Sequence, residues 1–296
     1  MIYVTPGHEK GIGLEVFLNA YLCLSEYYQK KFSLICESDI LKRYLSNCLD
    51  FNDDKLEMLK IINPKASNEP LTTRSLLTGL DIISESDILL TLPSSKDQFI
   101  FKNALVNGHT EFFRDFYQNN NIGMNFLTND INVLLLTDHI SISEVETAIT
   151  EELIISKFEN SFKSLSKFRE IDEVFFSGIN PHCGEGGLIS SADLVIEKSI
   201  NKLSKMYPKL NFRGMFAGDT IHFQMKNKNQ LFIYAFHDQG LAPFKLKYGL
   251  KGINFTSGLP FKRVSVDHGT SFNLYGKKIA NYYGMLFLLK EIESWI

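Results

Sequence analysis

Short apolar runs rich in Val, Ile, Leu and Phe alternate along the chain with longer segments whose apolar residues recur every three to four positions. A short continuous apolar run is typical of a buried strand, and the longer period is typical of an amphipathic helix. The runs predict strands at residues 2–5, 32–36, 88–92, 133–137, 174–177, 231–236 and 252–255. The periodic segments predict helices at residues 14–28, 39–47, 111–118, 144–150, 151–168 and 194–206. This alternation favours βαβ units and a mostly parallel sheet.

Two local signals refine the helices. Ser143 and Glu146 have the spacing of a capping box, which predicts that a helix begins at residue 144. Residues 278–296 carry apolar side chains at helical spacing, and this stripe is predicted to pack back on the first half of the chain.

Composition describes an ordinary globular protein. The chain has 296 residues, of which 44% are hydrophobic and 22% are charged, and its formal net charge is −3. These values allow one large domain or two and give no reason to expect a nucleic-acid or membrane partner. The longest apolar stretches fall well short of the about 20 residues that a membrane helix requires. The first residues are predicted to form a strand and lack the pattern of a signal peptide, so the cytoplasm is the expected location.

The cysteines form no CxxC pair, so neither a disulfide framework nor a structural zinc knuckle is indicated. Cys23, Cys36 and Cys48 lie in apolar patterns and are predicted to be core residues. Cys183 follows His182 in a glycine-rich segment, where it is either a nucleophile or a small residue that fills space.

Four of the seven histidines follow predicted strands: His139, His182, His237 and His268. In an open α/β sheet, ligands bind beyond the carboxyl ends of the strands. Neutral imidazoles from separate strand ends can converge on one divalent ion. The placement therefore predicts a metal or acid–base centre, with ordinary hydrogen-bonded histidines as the alternative.

Five segments carry a resemblance to a known family. Residues 108–111 read GHTE, 180–187 read NPHCGEGG, 237–240 read HDQG, 258–261 read GLPF and 266–270 read VDHGT. Their sequence, order and spacing are similar to those of the 4-hydroxythreonine-4-phosphate dehydrogenases, with Cys183 in place of the family's Ala. The opening resembles the family's TxGDPAGIGPE segment, but His8, Glu9 and Lys10 replace its Asp-Pro-Ala.

The resemblance implies an α/β fold that is two-lobed and isocitrate/isopropylmalate dehydrogenase-like, with mostly parallel sheets and a central cleft. It implies a discontinuous first domain, residues 1–125 and 265–296, and a second domain, residues 126–264, that carries most metal and substrate loops. The implied activity is NAD- or NADP-dependent oxidation and decarboxylation of 4-phosphohydroxy-L-threonine to 3-amino-2-oxopropyl phosphate, in pyridoxal phosphate (vitamin B6) biosynthesis. A homodimer with a shared active site is also implied.

The resemblance further assigns roles to residues of this chain. One divalent ion per subunit, zinc, magnesium or cobalt, would be bound by His139, His182 and His237. The small phosphorylated substrate would be bound by His109, Thr110, Lys245, Asn254 and Arg263. The chain has no GxGxxG strand–helix turn. The resemblance implies instead that the nicotinamide cofactor lies along loops of the cleft that include Gly258, Leu259 and Pro260 and the turn after Asp267.

Three further residues are catalytic candidates, each with a structural alternative. Asp219 matches a family segment and is expected near the reacting hydroxyl, or else in an Asx turn. Asp267, like Asp238, suits a carboxylate that orients a metal-bound histidine. His268 is either a general base or a hydrogen-bonded residue of its turn.

Two rival functions stay open: a catabolic relative acting on a phosphorylated threonate or a dihydrodiol carboxylate, and a non-catalytic paralogue that binds a phosphometabolite.

Overall fold

The computed structural model of the chain describes residues 1–50, 53–227 and 229–296. Strands β1 to β13 span, in chain order, Ile2–Thr5, Phe32–Ile35, Lys60–Ile62, Ile88–Thr91, Ile100–Phe101, Ala104–Leu105, Gly123–Leu127, Asn132–Leu135, Glu173–Ser177, Asn211–Phe216, Gln230–Tyr234, Ile253–Ser257 and Lys262–Val266. Helices α1 to α10 span Gly13–Tyr21, Glu26–Gln29, Ser38–Cys48, Leu71–Ile82, His109–Tyr117, Ile142–Ala148, Glu151–Leu165, Asp193–Met206, His237–Tyr248 and Tyr283–Glu293.

The chain forms two compact units, Met1–Asn119 with Leu259–Ile296, and Asn120–Gly258. In the first unit the strands lie in the order β13-β4-β1-β2-β3, and every pair is parallel. In the second the order is β10-β9-β11-β8-β7-β12, where the first four strands are parallel and β7 is antiparallel to both of its neighbours. The predicted α/β fold with mostly parallel sheets is confirmed.

The core of the first unit is built from wholly buried strands and aromatic side chains of α1. Phe17 and Tyr21 pack on Phe32 of β2, with ring centroids 6.1 and 5.7 Å apart. The Tyr28 hydroxyl donates to the Leu289 carbonyl at 2.7 Å, which joins the N-terminal region to α10. Helix α10 also packs on α1, so the prediction for the closing segment is confirmed.

The second unit has a core of its own between its sheet and the helices that cover it. Phe175 stacks on Phe232 at 4.9 Å, and Phe126 meets Phe244 of α9 at 5.8 Å. These buried contacts hold β8, β9 and β11 side by side. Their carboxyl ends therefore present neighbouring loops.

Two predicted helices show the most informative differences from the structure in their bounds. The helix predicted over residues 14–28 ends at Tyr21, because the N–H groups of Cys23 and Leu24 bond three residues back and tighten the last turn. Ser25 then caps the short helix α2. The predicted capping box was also wrong: its residues are Ser141 and Glu144, so α6 begins at Ile142.

The two capping boxes have the same Ser-x-x-Glu pattern two residues apart, so the pattern alone did not distinguish them. With Ser141 as the cap, Val145 lies on the buried face of α6 and Glu146 is left to accept a hydrogen bond from Asn180.

The cysteine prediction was right for Cys36 and Cys48, which are buried, and wrong for Cys23, which is exposed beyond the end of α1. Across the described ranges, no helix is long and apolar enough to cross a membrane.

Candidate active site

The loops after β8, β9 and β11 carry His139, His182 and His237, and β11 lies between the other two strands. The imidazole rings of His139 and His237 have centroids 5.8 Å apart. Both line a cavity of about 380 Å³ in the second unit, together with Asp138 and Asp238. His182 is exposed on its own loop. The chain therefore brings two of the three predicted metal ligands together.

His237 has a fixed partner for one ring nitrogen. Its Nδ1 lies 2.7 Å from Asp238 Oδ1, at the start of α9. A carboxylate on Nδ1 favours the proton on that nitrogen, which leaves Nε2 as the nitrogen with a lone pair for a ligand. Asp238 thus makes the contact that the sequence suggested for Asp238 or Asp267.

The backbone at two of the histidines is left-handed. His139 has φ 52°, and residues 182–186 form a run with φ between 47° and 69°. Non-glycine residues rarely adopt this conformation, and the run at 182–186 includes His182, Cys183 and Glu185, whose strain amounts to roughly 3–6 kcal/mol in total. Such strain persists where the surrounding structure imposes it, commonly at functional sites.

Gln239 links the loops that carry the functional residues of the second unit. Its Oε1 accepts from the Ser177 hydroxyl at 2.8 Å and the Ala235 N–H at 2.9 Å, and its Nε2 donates to the Gly178 carbonyl at 2.8 Å. A Cβ at Gly218, next to Asp219, would lie 2.4 Å from Nε2, so this turn also packs on the amide. Sequence reasoning noted Gln239 only as part of HDQG and did not assign it this role.

A buried ion pair supports the loop of His139. Asp138 and Lys157 are almost wholly buried, with Lys157 Nζ 3.7 Å from Asp138 Oδ2 and 2.8 Å from the Ile122 carbonyl. Lys157 lies on α7, far from any recognised motif, so no sequence signal pointed to it. The pair anchors the residue directly before His139.

A divalent ion fits the paired histidines. Two imidazole nitrogens on one tetrahedral ion place their ring centres about 5 Å apart, close to the 5.8 Å between His139 and His237. Within the described part of this one chain, however, no three His, Cys, Asp or Glu side chains are grouped closely enough to hold a metal. His182 does not complete the group from its own chain.

The first unit holds the predicted anion-binding residues in a buried cluster. Arg263 is 2% exposed and lies on β13 beside β4, where its Nε donates to Thr91 Oγ1 at 3.0 Å. Its guanidinium lies over the Phe113 ring, 5.9 Å from the centroid. Burial lowers the pKa of Arg263 to about 9, which still leaves it charged at neutral pH. Sequence reasoning anticipated the arginine but not Thr91.

His109, the first residue of α5, belongs to the same cluster. The residue is partly exposed, but its Nε2 is inaccessible and has no hydrogen-bond partner. Because this ring nitrogen is buried, the imidazole is desolvated. Desolvation, with a smaller contribution from the Arg263 charge, holds the pKa of His109 well below its ordinary value. Its imidazole is therefore neutral and can donate or accept one further bond.

The other predicted substrate residues differ in exposure. Thr110 is buried beside His109, and Lys245 is exposed on α9. Asn254 lies on β12 of the second unit, and its Oδ1 is buried with no partner. A buried polar atom without a partner is rare in native proteins and calls for a ligand or water. His109 and Asn254 both have such an atom.

The three catalytic candidates lie on turns. Asp219 is exposed, and among the residues that the structure describes its carboxylate accepts no hydrogen bond, which does not favour the Asx turn. Asp267 and His268 follow β13 in the first unit, and His268 Nδ1 lies 3.0 Å from the Gly269 carbonyl. This contact is the structural alternative foreseen for His268, and it leaves Nε2 uncommitted.

The expected cofactor loops differ in openness. The Gly258 N–H donates to Ser164 Oγ at 3.1 Å and its φ is 87°, whereas Leu259 is buried and Pro260 is exposed. In the turn after Asp267, a Cβ at Gly269 would have no atom of the described residues within 4 Å, apart from its two chain neighbours. This turn is joined to the N-terminal glycine loop by the bond from the Ile12 N–H to the Thr270 carbonyl.

Cys183 faces inward. A Cβ at Gly178 would lie 3.0 Å from its Sγ, so the thiol occupies space against that glycine. Burial, with the nearby charges of Asp193 and Asp219, raises the pKa of Cys183. A thiol with a raised pKa is a poor nucleophile, which supports the space-filling alternative.

The motifs and this geometry agree with comparisons to known proteins. The sequence model of the family described as pyridoxal phosphate biosynthetic protein PdxA matches residues 33–288. The chain belongs to this family. A 4-hydroxythreonine-4-phosphate dehydrogenase from Hydrogenobaculum sp. is 30% identical over an alignment of 311 residues, which covers 99% of this chain and 98% of that relative. The resemblance seen in the motifs is confirmed, and so is the prediction of a dehydrogenase.

Solved structures of PdxA enzymes share the fold. A 4-hydroxythreonine-4-phosphate dehydrogenase from Klebsiella pneumoniae has a TM-score of 0.78 at 22% identity, covering 100% of this chain and 99% of that one. A terephthalate 1,2-cis-dihydrodiol dehydrogenase from Burkholderia xenovorans has a TM-score of 0.64 at 18% identity, covering 99% and 97%. At these identities the likeness concerns the fold alone.

Proposed function

We propose that this PdxA family member oxidises 4-phosphohydroxy-L-threonine with NAD or NADP and that decarboxylation then gives 3-amino-2-oxopropyl phosphate. The observation that carries the proposal is the pairing of His139 with His237 beside a cavity, in a chain similar over its whole length to enzymes of that name. The remaining site residues supply a cation in Arg263 and buried polar atoms without a partner in His109 and Asn254.

The phosphate is assigned to the cluster of the first unit. Arg263 supplies a charged, planar donor fork, and Thr110 and the neutral His109 supply further polar atoms. A phosphate oxygen accepting from His109 would satisfy the buried Nε2 that the protein itself leaves unbonded. Lys245 and Asn254 are assigned to the substrate's other polar groups, since one is cationic and the other has an unbonded buried oxygen.

His139, His182 and His237 are proposed to hold one divalent ion. Imidazole ligands suit zinc or cobalt better than magnesium, which prefers oxygen ligands. When bound, such an ion acts as a Lewis acid that lowers the pKa of a substrate hydroxyl and stabilises negative charge on the adjacent oxygen. Asp238 orients His237 for this role.

Asp219 is the residue proposed to take the hydroxyl proton, because its exposed carboxylate accepts no bond within the described chain and lies near the loop of His182. His268 is the alternative base through its Nε2, with Asp267 beside it. The nicotinamide cofactor, which accepts the hydride, is assigned to Gly258, Leu259 and Pro260 and to the open turn at Gly269.

A homodimer with a shared site accounts for the separation of His182 from the other two ligands. Exposed aliphatic side chains flank these loops, with Ile142 68% and Leu188 86% exposed, and Ile140 and Ile189 are exposed as well. Exposed apolar groups around a functional loop are typical of protein–protein contacts. In a two-fold dimer each chain would complete the other's site.

The dimer is tested by mixing two inactive variants, His182→Ala and His237→Ala. If His182 is donated across the interface, one of the two sites in the hybrid is intact, and about half of the activity per hybrid dimer should return. Mixing two preparations of the same variant is the control. A fully active monomer in sedimentation at the assay concentration would contradict the shared site.

The reaction is tested by following NADH absorbance with phosphohydroxythreonine, phosphothreonate and a dihydrodiol carboxylate compared at equal concentration. Turnover confined to the first substrate, lost on metal chelation and in His139→Ala, is the expected result. Preference for either of the other two would assign the chain to a catabolic relative. Binding of phosphohydroxythreonine without turnover, at full metal occupancy, would identify a non-catalytic paralogue.

A further inference from the structure

A single buried carboxylate lies inside the loop that carries His182. Asp193, the first residue of α8, is 1% exposed. Its Oδ1 accepts the Ile179 N–H at 2.6 Å, and its Oδ2 accepts the Asn180 N–H at 3.3 Å and Asn180 Nδ2 at 3.0 Å. Three donors from the segment that leads into His182 therefore converge on one side chain.

The carboxylate also contacts the far side of the same loop. A Cβ at Gly178 would lie 2.7 Å from Asp193 Oδ1, and one at Gly184 would lie 3.0 Å from Oδ2 and 2.6 Å from the Ser190 carbonyl. Both legs of the loop thus close on Asp193 at contacts that only glycine allows. Gly184 is the middle residue of the left-handed run at 182–186.

The left-handed run does not form from local preference, because three of its five residues are not glycine. Within the run, the Cys183 N–H bonds to the Asn180 carbonyl, and the Ile189 N–H closes the loop on the Gly184 carbonyl. Asp193 fixes the residues on which both of these bonds depend. Its negative charge is itself favoured at the N-terminus of the 14-residue helix α8.

We infer that Asp193 is the positioning residue that sets the direction of His182 toward the divalent ion, an inference that rests on the proposed metal site. Asp193 does not touch the ion or the substrate in this arrangement. It acts through the backbone of residues 178–184, so its effect should appear in metal affinity and should depend on His182.

The test is calorimetric titration of the metal-free, full-length protein with zinc. Asp193→Asn replaces one acceptor oxygen by an NH₂ group that faces N–H donors, so the dissociation constant for zinc should rise about 10- to 100-fold. Ser199→Ala is the matched control: it is buried on the same helix, bonds only to the Val195 carbonyl, and should leave zinc affinity unchanged. If Asp193→Asn does not fold, Gly184→Ala serves as the test variant. It keeps the carboxylate but adds a methyl group where there is no space, and it should weaken zinc binding by a similar factor.

A double-mutant cycle separates positioning from general damage. In a His182→Ala background, Asp193→Asn should weaken zinc binding no further, whereas an equal additional loss would overturn the inference. In the absence of metal, residues 178–189 of Asp193→Asn should exchange amide hydrogens faster than in the parent, with β11 unchanged.

Failure of the inference and failure of the metal site give different results. If His182→Ala itself leaves zinc affinity unchanged, the proposed metal site is wrong. If His182→Ala weakens zinc binding while Asp193→Asn and Gly184→Ala do not, the site stands and the role of Asp193 is refuted.

Discussion

Lowering the pH should destabilise the metal-free protein through His109. Its Nε2 is buried without a partner, and desolvation together with the Arg263 charge depresses its pKa in the folded state. The unfolded chain takes up a proton on this histidine below its ordinary pKa of about 6.5, whereas the folded state does not. Stability is therefore fully present above about pH 6.5 and is lost as the pH falls toward the folded-state pKa.

The magnitude follows from proton linkage. One proton bound by the unfolded state alone changes the free energy of unfolding by about 1.4 kcal/mol per pH unit. The His109 contribution to this loss approaches that slope as the pH falls from about 6.5 toward the folded-state pKa, which lies well below the ordinary value. One pH unit at this slope is an appreciable part of the 5–15 kcal/mol typical of a domain.

The assay is urea unfolding across this pH range for the parent and for His109→Gln. The contributions of the other titrating groups cancel when the two proteins are compared. The free energy of unfolding of His109→Gln should therefore depend less steeply on pH, by the slope that corresponds to about one proton. Phe17→Leu is the control, since Phe17 is buried in the core of the same unit and packs on Phe32 with ring centroids 6.1 Å apart. It should lower stability at every pH and keep the parent slope. Identical slopes for parent and His109→Gln would refute the argument that the ring stays neutral.

Three further predictions concern single contacts. Arg263→Lys keeps the charge but loses the donor fork, so KM for the phosphorylated substrate should rise by the factor that corresponds to roughly 1.5–3 kcal/mol of lost binding free energy. If steady-state kinetics show a loss confined to NAD, the arginine binds the cofactor instead of the substrate. Lys157→Met should lower the free energy of unfolding, measured in urea titrations, by about 3–5 kcal/mol, because Asp138 stays buried without the ammonium group. Adding Asp138→Asn should recover much of this free energy. A loss below about 1 kcal/mol in the single variant would contradict a stabilising ion pair. Ser141→Ala should lower the free energy of unfolding by about 0.5–2 kcal/mol, and Ser143→Ala should lower it far less. Equal decreases in the melting temperatures of the two variants would contradict Ser141 as the cap of α6.

Local pattern was sufficient for seven of the described strands and for the placement of three histidines at strand ends. His139, His182 and His237 follow buried runs that do form β8, β9 and β11. This succeeded because an uninterrupted apolar run reports burial on both faces of a strand, which is a property of the run itself. The motifs likewise identified the family, since they are contiguous in sequence.

The residues at which helices begin and end could not be predicted where the sequence pattern allowed two positions equally well. Ser141 and Ser143 each begin a Ser-x-x-Glu segment, and in the structure the capping box forms at Ser141. Apolar residues continue past Tyr21, yet the helix ends there because backbone bonds and the Ser25 cap start a new turn. Several elements were not predicted at all: helices α4 and α9 and strands β3, β5, β6, β7, β10 and β13.

What the sequence determined about this protein is its fold class, its family and which residue types stand at strand ends. Only the tertiary structure decided which of them meet. Arg263 bonds to Thr91 across 172 residues of sequence, and Lys157 of α7 anchors the loop of His139. Asp193 holds a left-handed loop for which neither its own sequence nor the NPHCGEGG motif gives a reason. These contacts join different elements of the fold, from 14 to 172 residues apart in the chain. They arise from strand order and shared burial, which no local period of apolar residues encodes.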